Sequence, residues 1–141
     1  MNKHIAGAII LALASLLAHA QANDFPRRSI TIIDPYPAGG STDVLSRLLG
    51  EQMSRSLGQP IVVEARPGAA GTIGSAQVAR ARPDGYTLLV GNPGPNAIAA
   101  SAFSKLSYDV ERDFAPIMIA ATVPVLFCVG KDSPLKKPAD L

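Results

Sequence analysis

The chain has 141 residues, 48% hydrophobic and 17% charged, a composition that fits about one globular domain and excludes a disordered segment. Lys and Arg number 13 against 11 Asp and Glu; this balance excludes an electrostatic nucleic-acid binder, and 5% aromatics with no Trp exclude a base-stacking platform. The single cysteine, Cys128, excludes an internal disulfide and a cysteine-built metal centre.

The first residues read as a secretory leader. Met1-Asn2-Lys3-His4 is a short cationic start, and Ile5 to Leu17 is an uncharged apolar run too short to span a bilayer of about 30 Å. Ala18-His19-Ala20 and Ala20-Gln21-Ala22 both have the small-x-small form of a cleavage site. Removal of residues 1–20 takes away Lys3 and lowers the net charge from +2 to +1. It also removes both histidines, His4 and His19. A Ser-His-Asp triad, a Cys-His pair and a His-ligated zinc site are then excluded from the remaining residues. No cofactor and no metal are expected. Later in the chain, the longest uncharged stretch, Phe114 to Gly130, is broken by Pro116 and Pro124, so no stable membrane insertion is expected.

Ser29 to Ile33 is β-branched and apolar and predicts a buried strand. Asp34 to Gly40 follows as a loop with two prolines and two glycines, and Ser41-Thr42-Asp43 offers helix N-cap chemistry. Val44, Leu45, Leu48, Leu49, Met53 and Leu57 recur at helical spacing, with Arg47, Glu51 and Arg55 at i,i+4 on the other face. Gly58 is placed to stop that helix, with Pro60 just beyond. Pro60 to Glu64 predicts a second strand, Arg66 to Gly74 a glycine-rich loop, and Ser75 to Ala81 a short helix. Tyr86 to Val90 predicts a third strand, Gly91 to Asn96 a loop, and Ala97 to Phe103 another short helix. Phe114 to Gly130 reads as extended, as two strands broken at Pro124, with Cys128 buried in it; Leu135 to Leu141 reads as a helix start. This alternation predicts an α/β unit with a mostly parallel sheet, whose ligands bind outside the carboxyl ends of the strands.

Three loops at such strand ends are candidates for chemistry. In Tyr36 to Asp43, Gly39 and Gly40 allow close backbone approach, and the helix that follows exposes free N–H groups. Such a helix start favours an anion, a carboxylate as well as a phosphate, though an ordinary turn and cap explains the same residues. Asp43 either caps the helix or meets a donor on a ligand. Gly68 to Gly74 has GxxGxxG spacing without the dinucleotide GxGxxG or a following Lys, and Gly74 reads as a close-packing glycine. Asn92 and Asn96 flank the third loop and offer hydrogen bonds to a ligand, although loop geometry accounts for them equally well. Tyr36 and Tyr86 read as half-buried packing residues and Arg66 as solvated or ion-paired. Asp34, Asp43 and Glu64 lie near strand ends, but spacing brings no two of them together as an acid–base pair.

Several stretches together resemble the substrate-binding proteins of tripartite tricarboxylate transporters, the Bug family. They are Phe25-Pro26, Tyr36 to Asp43 opening an amphipathic helix, Leu57 to Glu64, Arg66 to Ala69, Gly71 to Gly74, Pro83 to Leu89, Leu106 with Tyr108-Asp109, Asp113 to Pro116 and Lys137 to Leu141. The resemblance implies a type II periplasmic-binding-protein-like α/β lobe, with two lobes in the complete family fold closing on a small organic acid by hinge motion. It implies a periplasmic receptor that hands a carboxylate-bearing ligand to a membrane permease, does no chemistry on it, binds no nucleic acid and is monomeric when complete. Carried over by position, the implied ligand contacts are Tyr36, Ala38, Gly39, Gly40, Ser41, Thr42 and Asp43; Asn92 and Asn96 join them as candidates from the third loop's own residues, not from the resemblance. The chain departs from the family pattern at Ala65, at Ala70 where glycine is usual, and in a third loop without histidine.

Family members are considerably longer than this chain. The resemblance therefore divides it into a leader (1–20), an incomplete first lobe (21–125) and a crossover with the start of a second, largely missing lobe (126–141). A ligand sensor for a signalling system, or a truncated remnant without function, are the alternative readings.

Overall fold

The computed structural model describes residues 25–124, 126, 128–135 and 137–140. The expected leader lies outside them. Strand β1 (Ile30–Asp34) is central in a three-stranded sheet of order β2-β1-β3, with β2 spanning Ile61–Ala65 and β3 Thr87–Leu89. Both pairings are parallel: Ile32 lies opposite Val63 on one side and Leu88 on the other. Ladder bonds extend past the strand ends, from the Ile30 N–H to the Pro60 carbonyl at 3.0 Å and from the Val90 N–H to the Ile33 carbonyl at 3.1 Å. Because β1 is paired on both edges, Ile30, Ile32, Ile33 and Asp34 are all buried, while β2 and β3 are largely half-buried.

Helix α1 (Ser41–Leu57) connects β1 to β2, and helix α2 (Thr72–Ala79) connects β2 to β3. The two connections run in opposite directions across the sheet, so right-handed crossovers set the helices on opposite faces. α1 packs on β2 and β1, and α2 on β3 and β1. The order reversal beside β1 is a topological switch point, and in open α/β sheets the crevice at the carboxyl ends of the strands opens there. Past β3, a single π turn (Gly94–Ile98) runs into a short helix, α3 (Ala99–Ala102), so helical structure begins before Ala97.

The residues of α1 that face inward differ from the apolar stripe expected. Asp43, Ser46 and Gly50 are the buried positions, whereas Val44 and Leu48 are 63% and 56% exposed. Small residues bring this helix close to the sheet: a Cβ on Gly50 would sit 3.2 Å from Ile61 Cγ2. Glu51 and Arg55 pair as the spacing predicts, but Arg47 turns back one helical turn to Asp43. The helix ends where expected, with Gly58 at φ 67° and its N–H on the Ser54 carbonyl. α2 starts at Thr72, earlier than predicted, and its Gly74 lies against the chain that leaves β1. A Cβ there would meet the Arg66 carbonyl at 2.9 Å and Pro35 Cα at 3.0 Å, so Gly74 is the close-packing glycine expected.

The two strands expected in Phe114 to Gly130 are absent among the described residues. Its described residues form neither helix nor strand, and Ile117, Ile119, Val123 and Leu126 are each at least 76% exposed. An extended apolar run becomes a strand only when a neighbour supplies N–H and C=O partners, and the described sheet ends at β3. For the same reason Cys128, expected in the core, is exposed. At the C-terminal end, a single 3-10 turn (Pro138–Asp140) stands where the helix start was expected. Among the described residues, no helix is long and apolar enough to cross a membrane.

Candidate ligand-binding site

The three loops that leave β1, β2 and β3 meet at one end of the sheet. Their floor is made of two buried prolines, Pro35 from the first loop and Pro95 from the third, with Gly71 of the second loop between them. A Cβ at Gly71 would touch Pro95 Cγ at 3.1 Å and Pro35 Cβ at 3.3 Å, so the loops are packed on one another. From below, the buried Tyr108 hydroxyl donates to the Pro95 carbonyl at 2.6 Å, and its ring meets Phe114 edge-on with centroids 5.6 Å apart. Burial pushes the Tyr108 phenol above its ordinary pKa, with the Ser75 hydroxyl opposing the shift.

The first loop is held at both ends by aspartates. Asp34, fully buried at the end of β1, accepts the Tyr36 N–H on Oδ1 at 3.0 Å, an Asx turn across Pro35. Its Oδ2 is buried without a hydrogen-bond partner. Asp43, also buried, accepts the Gly39 N–H at 3.0 Å and the Arg47 Nε–H at 3.1 Å on Oδ2, while Arg47 Nη2 stands 2.9 Å from Oδ1. The Arg47 guanidinium and the Gly39 N–H hold the Asp43 carboxyl below its ordinary pKa against the opposing effect of burial. Asp43 therefore clamps the loop to the helix. The expected role of Ser41 and Thr42 as caps is corrected: the N-cap is Gly40, no side chain caps α1, and Ser41 and Thr42 stand inside its first turn. The N–H groups of that turn have no intrahelical acceptor and are left for an anion or solvent.

The other predicted site residues fall into two groups. Ala38, Gly39, Gly40 and Ser41 are exposed along the first loop and the helix start, with Thr42 half-buried. Tyr36, Asn92 and Asn96 come together although the first is 56 positions from the second: the Tyr36 hydroxyl donates to Asn92 Oδ1 at 3.4 Å, and the Asn92 N–H donates to Asn96 Oδ1 at 3.1 Å. The Gly94 N–H also points at Asn92 Oδ1, at 3.4 Å. Among the described residues, no hydrogen bond joins the Ser41 or Thr42 side chains to this group. Tyr36 and Tyr86 are half-buried as expected; Tyr86 stacks edge-on against Phe25 and lies under the Arg28 guanidinium, away from these loops. Arg66 is ion-paired with Glu64 at 2.7 Å.

Three residues of the site were not singled out in the sequence. Arg47 has a signal, the i,i+4 spacing from Asp43. Gly94 and Pro95 have none, because their role depends on the packing of the first loop against the third. The second loop carries a further feature: Ala69 and Ala70 both lie in the left-handed region, at φ 46° and 54°, a conformation that favours glycine. Among the described residues, no group of three or more His, Cys, Asp or Glu could hold a metal ion.

Comparison with known proteins gives these loops a context. The model of the tripartite tricarboxylate transporter family receptor matches residues 45–141. Protein BugT of Bordetella pertussis is 40% identical over 119 residues, covering 84% of this chain and 36% of BugT. Among solved structures, MatC from Rhodopseudomonas palustris with bound malate superposes with a TM-score of 0.63 at 44% identity, over 65% of this chain and 31% of MatC. Rpa4515 of R. palustris with adipate gives 0.60 at 36% identity, over 62% of this chain and 29% of its own. The chain thus spans well under half the length of the proteins it matches, and it shares its α/β fold with the periplasmic binding protein BugD, at a TM-score of 0.63 and 43% identity over 66% of this chain and 31% of BugD. It belongs to the tripartite tricarboxylate transporter receptor family.

Proposed function

We propose that this chain supplies the ligand-capturing loops of a periplasmic receptor for a small carboxylate-bearing acid, delivered unchanged to a tripartite-type membrane transporter. The observation that carries the reading is the convergence of three strand-end loops beside a 17-residue helix whose first turn no side chain caps. That turn offers N–H groups and a positive dipole end to a carboxylate. Asp43 does not oppose this, because Arg47 and the Gly39 N–H already neutralise and occupy it. MatC and Rpa4515, similar over most of the described lobe, hold malate and adipate.

On this reading residues 1–20 are the export leader, 21–125 belong to the first lobe, and 126–141 lead into the second. The residues that line the ligand position on this reading are Tyr36 and Ala38 to Asp43 with Asn92 and Asn96. Calorimetric titration of the full-length protein with malate, adipate, citrate, glutamate and benzoate tests binding. Saturable one-to-one binding of at least one acid, recovered chemically intact, is expected; heat from none of them overturns the receptor reading. Uptake of that acid in a strain lacking the gene tests delivery. Lost uptake is expected, and undiminished uptake with lost gene induction assigns the protein to sensing instead.

A further inference from the structure

Two donors from different loops converge on one oxygen. The Tyr36 hydroxyl, from the loop after β1, and the Gly94 N–H, from the loop after β3, both point at Asn92 Oδ1. The assignment of oxygen to that position follows from the chemistry, since the amide nitrogen there would face an N–H donor. Both distances are 3.4 Å, outside the usual range of about 2.7–3.2 Å for such bonds. The acceptor is present, but neither donor is well satisfied by it.

The surroundings hold the Tyr36 donor and the Asn92 backbone independently of the Asn92 side-chain amide. The Tyr36 backbone is tied to Asp34, and its hydroxyl lies so close to the third loop that a Cβ on Gly94 would come within 2.9 Å of it. The Asn92 backbone N–H is held by Asn96 Oδ1, and the next turn is anchored by the Asn96 N–H on the Asn92 carbonyl. The Asn92 backbone is thus held by bonds that do not involve its own side-chain amide. Tyr36, Asn92 and Gly94 are all half-buried, within reach of a ligand entering from the loop end.

We propose that Asn92 is an internal placeholder: its amide oxygen occupies the position between the Tyr36 hydroxyl and the Gly94 N–H that a carboxylate oxygen of the ligand takes on binding. This rests on the carboxylate-receptor reading and deepens it by naming the two donors and the group displaced. The exchange favours the ligand because a charged oxygen forms shorter hydrogen bonds, roughly twice as strong as those of a neutral amide. It opposes neutral ligands, which gain no such advantage over the amide they expel. The placeholder also gives the two donors a weak partner in the empty site, where a wholly unpaired half-buried donor would cost more stability.

The sign of one measurement separates this role from that of a direct contact. In the full-length protein, dissociation constants for adipate and malate are measured by calorimetry in the wild type, Asn92→Ala, Asn92→Ser, Tyr36→Phe and the Tyr36→Phe/Asn92→Ala double variant. Removing a placeholder raises the fraction of sites ready for ligand, so Asn92→Ala binds about threefold to tenfold more tightly. Asn92→Ser, whose short hydroxyl still accepts the Gly94 N–H but falls short of Tyr36, gains less and guards against a collapsed turn. In the Tyr36→Phe background the gain shrinks or vanishes. Unchanged or weaker binding in both Asn92 variants, with wild-type melting temperatures, overturns the placeholder while leaving the receptor reading intact. An equal gain in both backgrounds also overturns it. Binding of neither acid to any variant overturns the placeholder for these ligands, and silence across the wider acid panel overturns the receptor reading with it.

Discussion

The Tyr36 hydroxyl and the Asn92 side-chain oxygen, 56 positions apart, face each other at 3.4 Å and join the first loop to the third. No local pattern predicts the contact; the parallel sheet creates it by bringing the ends of β1 and β3 side by side. Tyr36 is thus the side-chain donor that the first loop presents toward the third. Tyr36→Phe removes it with little change of shape. Calorimetry on the full-length protein should show ligand binding weakened by about tenfold, the loss of one hydrogen bond of about 1.4 kcal/mol, with an unchanged melting temperature.

Asp43 gives the fold a defined response to acid. Its carboxyl is held below the ordinary 3.8 by Arg47 and the Gly39 N–H, so the folded state binds a proton there less readily than the unfolded chain. The resulting stabilisation is fully present above the unfolded pKa and is lost as pH falls through the lower, folded one. Asp43→Asn removes this dependence. Thermal melts from pH 6 down to pH 2 should show the wild type more stable than the variant at the upper end, with the difference shrinking below pH 4. A difference that stays constant across the range would contradict the assignment.

The left-handed pair Ala69 and Ala70 predicts a stabilising substitution. An alanine in that region carries a penalty of about 1 kcal/mol that glycine avoids, partly offset by the greater chain entropy glycine loses on folding. Ala70→Gly should therefore raise the midpoint of urea unfolding by a small amount, up to about 1 kcal/mol in stability, whereas Ala70→Val should lower it. A lower midpoint for Ala70→Gly would show that the loop does not rest in this conformation.

Gly74 predicts the opposite sign. Its Cβ position is bounded by two backbone groups, the Arg66 carbonyl and Pro35 Cα, which no side-chain rotation can move. Helix propensity alone would favour Gly74→Ala by about 1 kcal/mol. Crowding at 2.9 and 3.0 Å outweighs it, and the variant should be destabilised by about 1–2 kcal/mol in urea titration.

Much of the fold was legible because the short strands and the long helix carry local signals. The β-branched run at Ile30–Ile33 and the Gly58 stop each say where an element begins or ends. Signals failed where packing decided. The apolar spacing of α1 pointed to Val44 and Leu48, yet small residues at Ser46 and Gly50 allow the closer approach and take the inner face. Phe114 to Gly130 has the composition of strands but no partner within the described sheet, and its Cys128 is exposed accordingly. Within the site, Gly39, Gly40 and Asp43 could be read from a helix start, whereas Gly94 and Pro95 matter only once three loops converge.

The central claim is that these loops recognise the charge of a carboxylate. Its most direct test is calorimetric titration of the full-length protein with the acid that binds best in the panel and with the neutral amide made from it, same carbon skeleton and near-equal size. Charge recognition at the α1 start and at Tyr36 predicts saturable one-to-one binding of the acid and binding of the amide weaker by about a hundredfold or more, two or more charge-assisted hydrogen bonds being lost. Equal affinity for acid and amide would contradict it, since the loops would then be reading shape alone.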